Sequence, residues 1–285
     1  MRGLSYERPG TLAQAVRILD AYGPDARLLA GGTDLIIGLR NRTVHAQVVV
    51  DLKRIPELRP AITQRDGMIS ISADTVLADL AGDERMRAHF PALTEAAAMV
   101  GAVQIRNRAT LAGNVCNASP AADTVPPLLV YGAQVVAYGP DGLQRIPIGA
   151  FITGPGQTAL RRGELVTAIE LPVPDSQAGS AFGRITRRRG ADLATVSVAA
   201  IVEGTGVTRL GYGAVGPRPL LATDASGLLA DPDADPAAQT HMLASLAMTA
   251  SPISDVRASR EYRMSMLLVL SQRVLATAIG RRTRG

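Results

Sequence analysis

Two short stretches of this chain carry residues arranged for ligand chemistry. The first is Leu29-Ala30-Gly31-Gly32-Thr33-Asp34-Leu35, set between an apolar run and a helical pattern. A loop joining a strand to a helix can turn its backbone N–H groups, with the helix N-terminus, onto an anion. Gly31 and Gly32 remove side chains that would hold a phosphate away, Thr33 offers a hydroxyl, and Asp34 can cap the helix. Taken alone, the segment reads equally well as an ordinary tight turn. The second stretch is residues 103–127, VQIRNRATLAGNVCNASPAADTVPP. Thr110, Gly113, Asn114, Asn117 and Ser119 crowd donors and small groups into ten residues, with Asp123 close behind. Small residues admit a flat or charged ligand to the backbone, while Asn, Thr and a carboxylate can satisfy hydroxyls. The competing reading is a buried irregular loop whose side chains satisfy its own backbone. Two such loops in one chain favour a phosphorylated cofactor.

Other chemistries lack their residues. The 285 residues include one cysteine, Cys116, and three scattered histidines, His45, His89 and His241. A single cysteine makes no internal disulfide, CxxC pair or iron–sulfur ligand set, and the histidines show no metal spacing. Aromatics are only 3%, with no tryptophan, which disfavours single-strand nucleic-acid binding by stacking. Basic residues exceed acidic ones by 30 to 25, a mild +5. The runs Arg187-Arg188-Arg189 and Arg281-Arg282 with Arg284 read as a solvated face and a frayed end. No run approaches the roughly 20 apolar residues of a membrane span. The N-terminal MRGLSYERPG lacks a secretory h-region, so the expected compartment is the cytoplasm. One glycine motif is set aside. Gly211, Gly213 and Gly216 match G-x-G-x-x-G, but Pro217 and Pro219 oppose the helix that motif must open, so these glycines belong to a strand.

The elements that must position the two stretches follow from periodicity and punctuation. Thr11 caps a helix carrying Leu12, Ala15, Val16 and Leu19 and stopped by Gly23. Strands are predicted over 27–30 and 47–52, around a helix over 34–40. Residues 68–73 (MISISA) alternate as a half-exposed strand, and 91–100 read as a helix. A hairpin joins 134–138 to 143–148, and a strand over 164–171 is closed by Pro172 and Pro174. The stretch 173–183 reads as a domain boundary. Beyond it, strands over 195–202 and 207–215 precede helices at about 224–229, 236–248 and 259–279. The last places Tyr262, Met266, Val269, Leu270 and Val274 on one face.

AGGTDL at 30–35, QIRNRATLAGN at 104–114 and NASPAADTVPPLL at 117–129 together resemble the FAD-binding medium subunit of the molybdenum hydroxylases. That family includes aerobic carbon monoxide dehydrogenase and the flavin domain of xanthine dehydrogenase. ELVTAIELP at 164–172 and SDVRASREYR at 254–263 extend the resemblance over the whole chain. The resemblance implies an α+β fold. A two-lobed FAD-binding domain of the vanillyl-alcohol-oxidase (PCMH) type would span residues 1–174, with lobes at about 1–55 and 56–174. A smaller α/β domain, an antiparallel sheet plus helices, would follow over 178–285.

By the same resemblance, non-covalent FAD would be held by Ala30, Gly31, Gly32, Thr33 and Asp34 around its pyrophosphate. Thr110, Ala112, Gly113 and Asn114 would supply a second set, joined by Asp123, Val166 and Arg184. Three positions depart from the family pattern: Ala112 stands for glycine, Arg184 for lysine, and Leu193 for an aromatic. The implied role is an oxidoreductase subunit that transfers electrons and has no catalytic side chains of its own. An iron–sulfur small subunit with [2Fe–2S] clusters would deliver electrons drawn from a large subunit carrying the molybdenum cofactor. They would leave through FAD to an external acceptor, in a dimer of heterotrimers. With Cys116 alone, this chain would hold no cluster. The alternative is a self-sufficient FAD oxidoreductase acting on a small substrate at its own flavin. Against it, the C-terminal half shows no base or substrate-anchoring cluster.

Overall fold

In the computed structural model, which describes residues 3–282, the first lobe is built on a three-stranded parallel sheet. Val48–Asp51 lies in the middle, flanked by Ser5–Glu7 and Ala26–Leu29. Val48, Val49 and Val50 are all buried, the continuous apolar run of a covered parallel strand. Helix Leu12–Tyr22 makes the first crossover. Thr11 caps it by accepting from the Gln14 N–H, Gly23 ends it at φ +51°, and Ala15, Val16 and Leu19 face inward. The edge strand Ser5–Glu7 was not expected, because its three residues are exposed and carry no alternation.

The second lobe is a five-stranded antiparallel sheet in the order Ile62–Arg65, Met68–Ser72, Leu165–Pro172, Gln134–Gly139, Gly142–Pro147. Met68–Ser72 alternates between buried and half-buried positions as its sequence predicts. Pro172 does not stop its strand. It is the last paired residue, opposite Met68, a strand end being where a missing donor is tolerated. Residues 103–127 are less irregular than their composition suggests, since they contain the short helices Val103–Arg106 and Leu111–Cys116 and enter a third, Val125–Val130.

Past residue 178 comes a four-stranded antiparallel sheet, Gly179–Ile185, Val196–Val202, Thr208–Gly213 and Leu220–Asp224. Helix Arg260–Arg282 packs across its first strands so closely that a Cβ on Gly179 would strike the Ala278 carbonyl. Three expectations need correction here. No helix spans 224–229. Leu220–Asp224 is a strand, and the Asp224 carboxylate accepts from the N–H groups of Ser226 and Leu229, turning the chain into a short 3-10 segment at Leu228–Ala230. The buried face of the long helix is Arg263, Leu267, Leu270, Ser271, Val274, Leu275 and Ala278, while Tyr262 is exposed. Leu270 and Val274 lie on that face as expected, and the expected face is only offset from it, because Arg263 counts as polar. It is in fact fully buried, its guanidinium bonded to Asp255 (2.7 Å) and to the Thr195 and Ala214 carbonyls. Arg281 and Arg282 are not frayed either, since both donate to backbone carbonyls, at Ser180, Ala230 and Gly204. Arg284 lies outside the described residues.

The G-x-G-x-x-G glycines lie in and just after the strand Thr208–Gly213, as the prolines predicted. Their role is contact. A Cβ on Gly211 would run into the Pro126 carbonyl, and one on Gly213 would meet the Ser197 hydroxyl and the Pro126 ring. Helix Val125–Val130 of the second lobe therefore lies directly on this sheet. Further bonds cross the same seam: Tyr131 to Ser180 (2.5 Å), Phe182 N–H to Glu95 (2.9 Å), Arg281 to Glu95, and Ala214 N–H to the Pro120 carbonyl (2.8 Å).

Candidate functional site

The strand Ala26–Leu29 ends at the first glycine loop, and helix Leu35–Arg40 begins after it. Gly32 sits at φ +78°, where a side chain is strained, and a Cβ there would also press Leu29 at 2.8 Å. Gly31 has a different reason to be glycine. Its missing side chain leaves room for the Arg108 carbonyl, so the first loop packs against the approach to the second. None of the N–H groups from Gly31 to Asp34 bonds another group among the described residues. Four donors thus remain for a ligand. The Asp34 carboxylate does not cap the helix, because its residue is already in the helical region, at φ −97° and ψ −45°. Lys53 braces the loop from behind, its ammonium 2.5 Å from the buried Asp51 carboxylate and 3.4 Å from the Ala30 carbonyl.

The second stretch is organised by Thr110, which pairs with Val76 in an isolated bridge and caps helix Leu111–Cys116. Its hydroxyl accepts from the Gly113 N–H at 3.0 Å, and a Cβ on Gly113 would crowd that oxygen at 2.9 Å. Ala112 is helical, so the methyl that replaces a glycine hydrogen costs no backbone strain. Thr124 donates to the Asn114 side-chain oxygen at 2.7 Å, which leaves the Asn114 amide NH₂ as a donor. Asp123 reaches across the seam to Arg184 on the strand Gly179–Ile185, in an ion pair whose side chains are 7% and 9% exposed. One Asp123 oxygen is bonded to Arg184, and the other, Oδ1, is buried without a partner. Burial pushes the Asp123 carboxyl up to about 6 against the opposing pull of Arg184.

All twelve residues expected at a ligand line one cleft of about 1210 Å³: Ala30, Gly31, Gly32, Thr33, Asp34, Thr110, Ala112, Gly113, Asn114, Asp123, Val166 and Arg184. That space exceeds the roughly 300–1,000 Å³ of ordinary small-ligand pockets and suits a long molecule. Val166 contributes an apolar wall beside a bulge in its strand, where the register shifts before Ala168. Leu193 lines the cleft while 54% exposed. Asn117, Ser119 and Cys116 line it too, and burial pushes the Cys116 thiol up to about 12, leaving it protonated and inert. Sequence reasoning missed Arg27 and Arg188 as lining residues. No spacing distinguishes an arginine facing a cleft from one facing solvent. Only the position of Arg27, at the head of the glycine loop's strand, could have drawn attention to it. No group of three or more His, Cys, Asp or Glu among the described residues could hold a metal, and no helix there is long and apolar enough to cross a membrane.

The cleft is thus lined by unbonded backbone N–H groups, a side-chain amide, hydroxyls and the apolar Val166, with the unpartnered Asp123 oxygen buried at its wall. It has no nucleophile, no paired general acid and base, and no cluster of metal ligands among the described residues. Comparison with known proteins finds the same assignment twice. Residues 2–174 match the FAD binding domain in molybdopterin dehydrogenase, and residues 181–278 match the CO dehydrogenase flavoprotein C-terminal domain. The chain is 33% identical over 280 residues to a xanthine dehydrogenase FAD-binding subunit of Escherichia coli O157:H7, covering 96% of each. It is 31% identical over 281 residues to the carbon monoxide dehydrogenase medium chain of Hydrogenophaga pseudoflava, covering 97% of each. Among solved structures, a chain of reconstituted CO dehydrogenase from Oligotropha carboxidovorans superimposes with a TM-score of 0.91 at 31% identity, over 98% of both chains.

Proposed function

The chain belongs to the FAD-binding medium subunits of the molybdenum hydroxylases, and from that premise we propose that it carries electrons between partner subunits and an external acceptor. It is an oxidoreductase subunit with an FAD-binding domain. The observation that supports the finer reading is the single cleft gathering twelve expected residues from three parts of the chain. In this reading the domains divide at 1–174 and 178–285, and the protein works in the cytoplasm. Its partners are an iron–sulfur small subunit with [2Fe–2S] clusters and a molybdenum-binding large subunit, assembled as a dimer of heterotrimers.

The residues present fit FAD. The free N–H groups of Gly31, Gly32, Thr33 and Asp34 suit a pyrophosphate, and the short helices behind both loops leave recognition to these local donors rather than to a long helix dipole. Asn114 NH₂ donates, and the orphaned Asp123 Oδ1 accepts from a hydroxyl. Arg184 holds Asp123 in place instead of reaching the cofactor alone. Val166 and Leu193 supply apolar surface. Bound there, FAD supplies one- and two-electron transfer, and the protein's part is position and electrostatics.

The experiment is retention of cofactor. The protein is expected to be yellow and to release FAD, not FMN, on denaturation. Gly32→Val forces a β-branched side chain to φ +78° and against Leu29, and should abolish flavin retention while the circular dichroism spectrum stays unchanged. A Gly32→Val protein that keeps its full flavin content overturns the assignment of this loop.

A further inference from the structure

Behind the glycine loop lies a group of charged side chains that does not itself line the cleft. Of the 30 basic residues in the chain, only Lys53 is a lysine. It stands on the turn Leu52–Arg54, just past Asp51, which pairs with Leu29 where the loop leaves its strand. Its ammonium has two holds of unequal strength, the Asp51 carboxylate at 2.5 Å and the Ala30 carbonyl at 3.4 Å. Both Asp51 oxygens are engaged, one by Lys53 and the other by the Tyr6 hydroxyl, with Arg8 at 3.6 Å. Arg54 bears on Tyr6, one step further out. Asp74, a second buried carboxylate, has no such support, since its Oδ1 is buried without a hydrogen bond. The charges that bear on it are those of Lys53 and Asp51, and its N–H is taken at 3.3 Å by the carbonyl of the buried, apolar Leu58. Two residues further on, Val76 bridges to Thr110, and the Leu77 N–H donates to the Ala109 carbonyl at 2.8 Å. Asp74 thus stands on the segment that holds the second loop and acts on the cation that holds the first.

We propose that Asp74 is a positioning residue for the glycine loop: ionised, it draws Lys53 off the Ala30 carbonyl and loosens the loop's grip on the cofactor's phosphates, and protonated, it leaves that brace in place. The inference rests on the flavin reading of the cleft. An ammonium shared between a carboxylate and a carbonyl gives up the neutral acceptor first when another carboxylate nearby becomes charged, because hydrogen bonds to charged groups are the stronger ones. A negative charge behind the loop also repels the phosphates in front of it, so both effects have the same sign. Burial, which pushes the Asp74 carboxyl up to about 6, sets the change between mildly acidic and neutral pH. The coupling is reciprocal, since a ligand that binds better to the protonated form strengthens that form's hold on its proton. FAD has no group of its own that titrates near neutral pH, so its binding there should take up a fraction of a proton.

FAD titrated by calorimetry into the flavin-stripped full chain tests this. Asp74→Asn keeps the shape and loses the charge, so it should bind FAD about fivefold or more tightly than the parent at about pH 8, and equally at about pH 5. Asp123, raised into the same range inside the cleft, is common to both proteins and cancels from the comparison. Repeating the titration in buffers of different ionisation enthalpy should show proton uptake by the parent and less by Asp74→Asn. As the single lysine, Lys53 gives one side-chain Cε signal in the NMR spectrum of lysine-labelled protein. That signal should move with pH through the Asp74 titration in the parent and stay still in Asp74→Asn. Equal FAD affinities at about pH 8 overturn the proposal, and so does a Lys53 signal indifferent to Asp74. A difference of the same size at about pH 5 also overturns it, because the effect would then be one of shape and not of charge. A parent protein that binds no FAD overturns the flavin reading and this inference with it, and the Lys53 signal, read without flavin, separates that failure from a loss of the coupling.

Discussion

Asp74 is buried next to the Asp51–Lys53 pair that braces the glycine loop, and its Oδ1 has no hydrogen-bond partner. Burial pushes its carboxyl up to about 6, with Lys53 opposing and Asp51 reinforcing the shift. A carboxyl raised in the folded state supports the fold while it is protonated. That support is complete below about pH 4 and is lost as pH rises through about 6. Asp74→Asn removes the charge and keeps the shape, so it should stabilise the protein at about pH 8, on the order of 1–3 kcal/mol, and do nothing at about pH 4. Urea unfolding at the two pH values checks this, and an equal effect at both would mean the charge is not the cause. At this scale the site was half legible. Gly32 and Thr110 were readable as a small residue and a hydroxyl in compact polar loops, while the positive φ of the one and the helix cap of the other came only with the structure. The orphaned oxygens of Asp74 and Asp123 were not, because burial depends on neighbours remote in sequence.

Where the strand Thr208–Gly213 meets helix Val125–Val130, two glycines and a proline let backbones touch across the seam. Gly211→Val is expected to push the helix off the sheet and destabilise the protein by about 1–3 kcal/mol, in the range of overpacked cores. Lowered flavin retention should accompany it, since Asp123 directly precedes that helix and Arg184 belongs to that sheet. Thermal melting and flavin absorbance after gel filtration measure the two effects, and a Gly211→Val protein with normal melting would place no weight on this contact. Strands and helices with one apolar face were readable from periodicity, as in Met68–Ser72 and Leu12–Tyr22. The misreadings share a cause. Ser5–Glu7 lies at a sheet edge, Leu220–Asp224 hands over directly to a capped turn, and the long helix buries an arginine. In each case tertiary partners outweighed the local pattern.

Both domains contribute residues to the cleft, so the cofactor we propose there would be a ligand of the assembled molecule. Such a ligand stabilises by mass action, by about 2.7 kcal/mol at a hundredfold excess over its dissociation constant. Adding FAD to the stripped protein should therefore raise the melting temperature progressively with FAD concentration and leave one transition. Two transitions, with only the first moved by FAD, would mean that the seam does not couple the domains. The +5 charge looks different at this scale. Arg184, Arg187 and Arg281 are matched by Asp123, Asp192 and Glu95, and Arg282 is set on backbone carbonyls, so these four serve the fold rather than an attraction for large polyanions.

The contact between Gly31 and the Arg108 carbonyl also bears on how the protein is made. A ribosome delivers the glycine loop early, but the surface against which it sets emerges more than seventy residues later. Arg184 comes later still, on a strand secured by the helix Arg260–Arg282 at the far end of the chain. The first loop to be synthesised is thus completed by the last helix. On the reading of this cleft as the flavin site, loading waits for the late helix, and the colour of the protein would report that the cleft has closed.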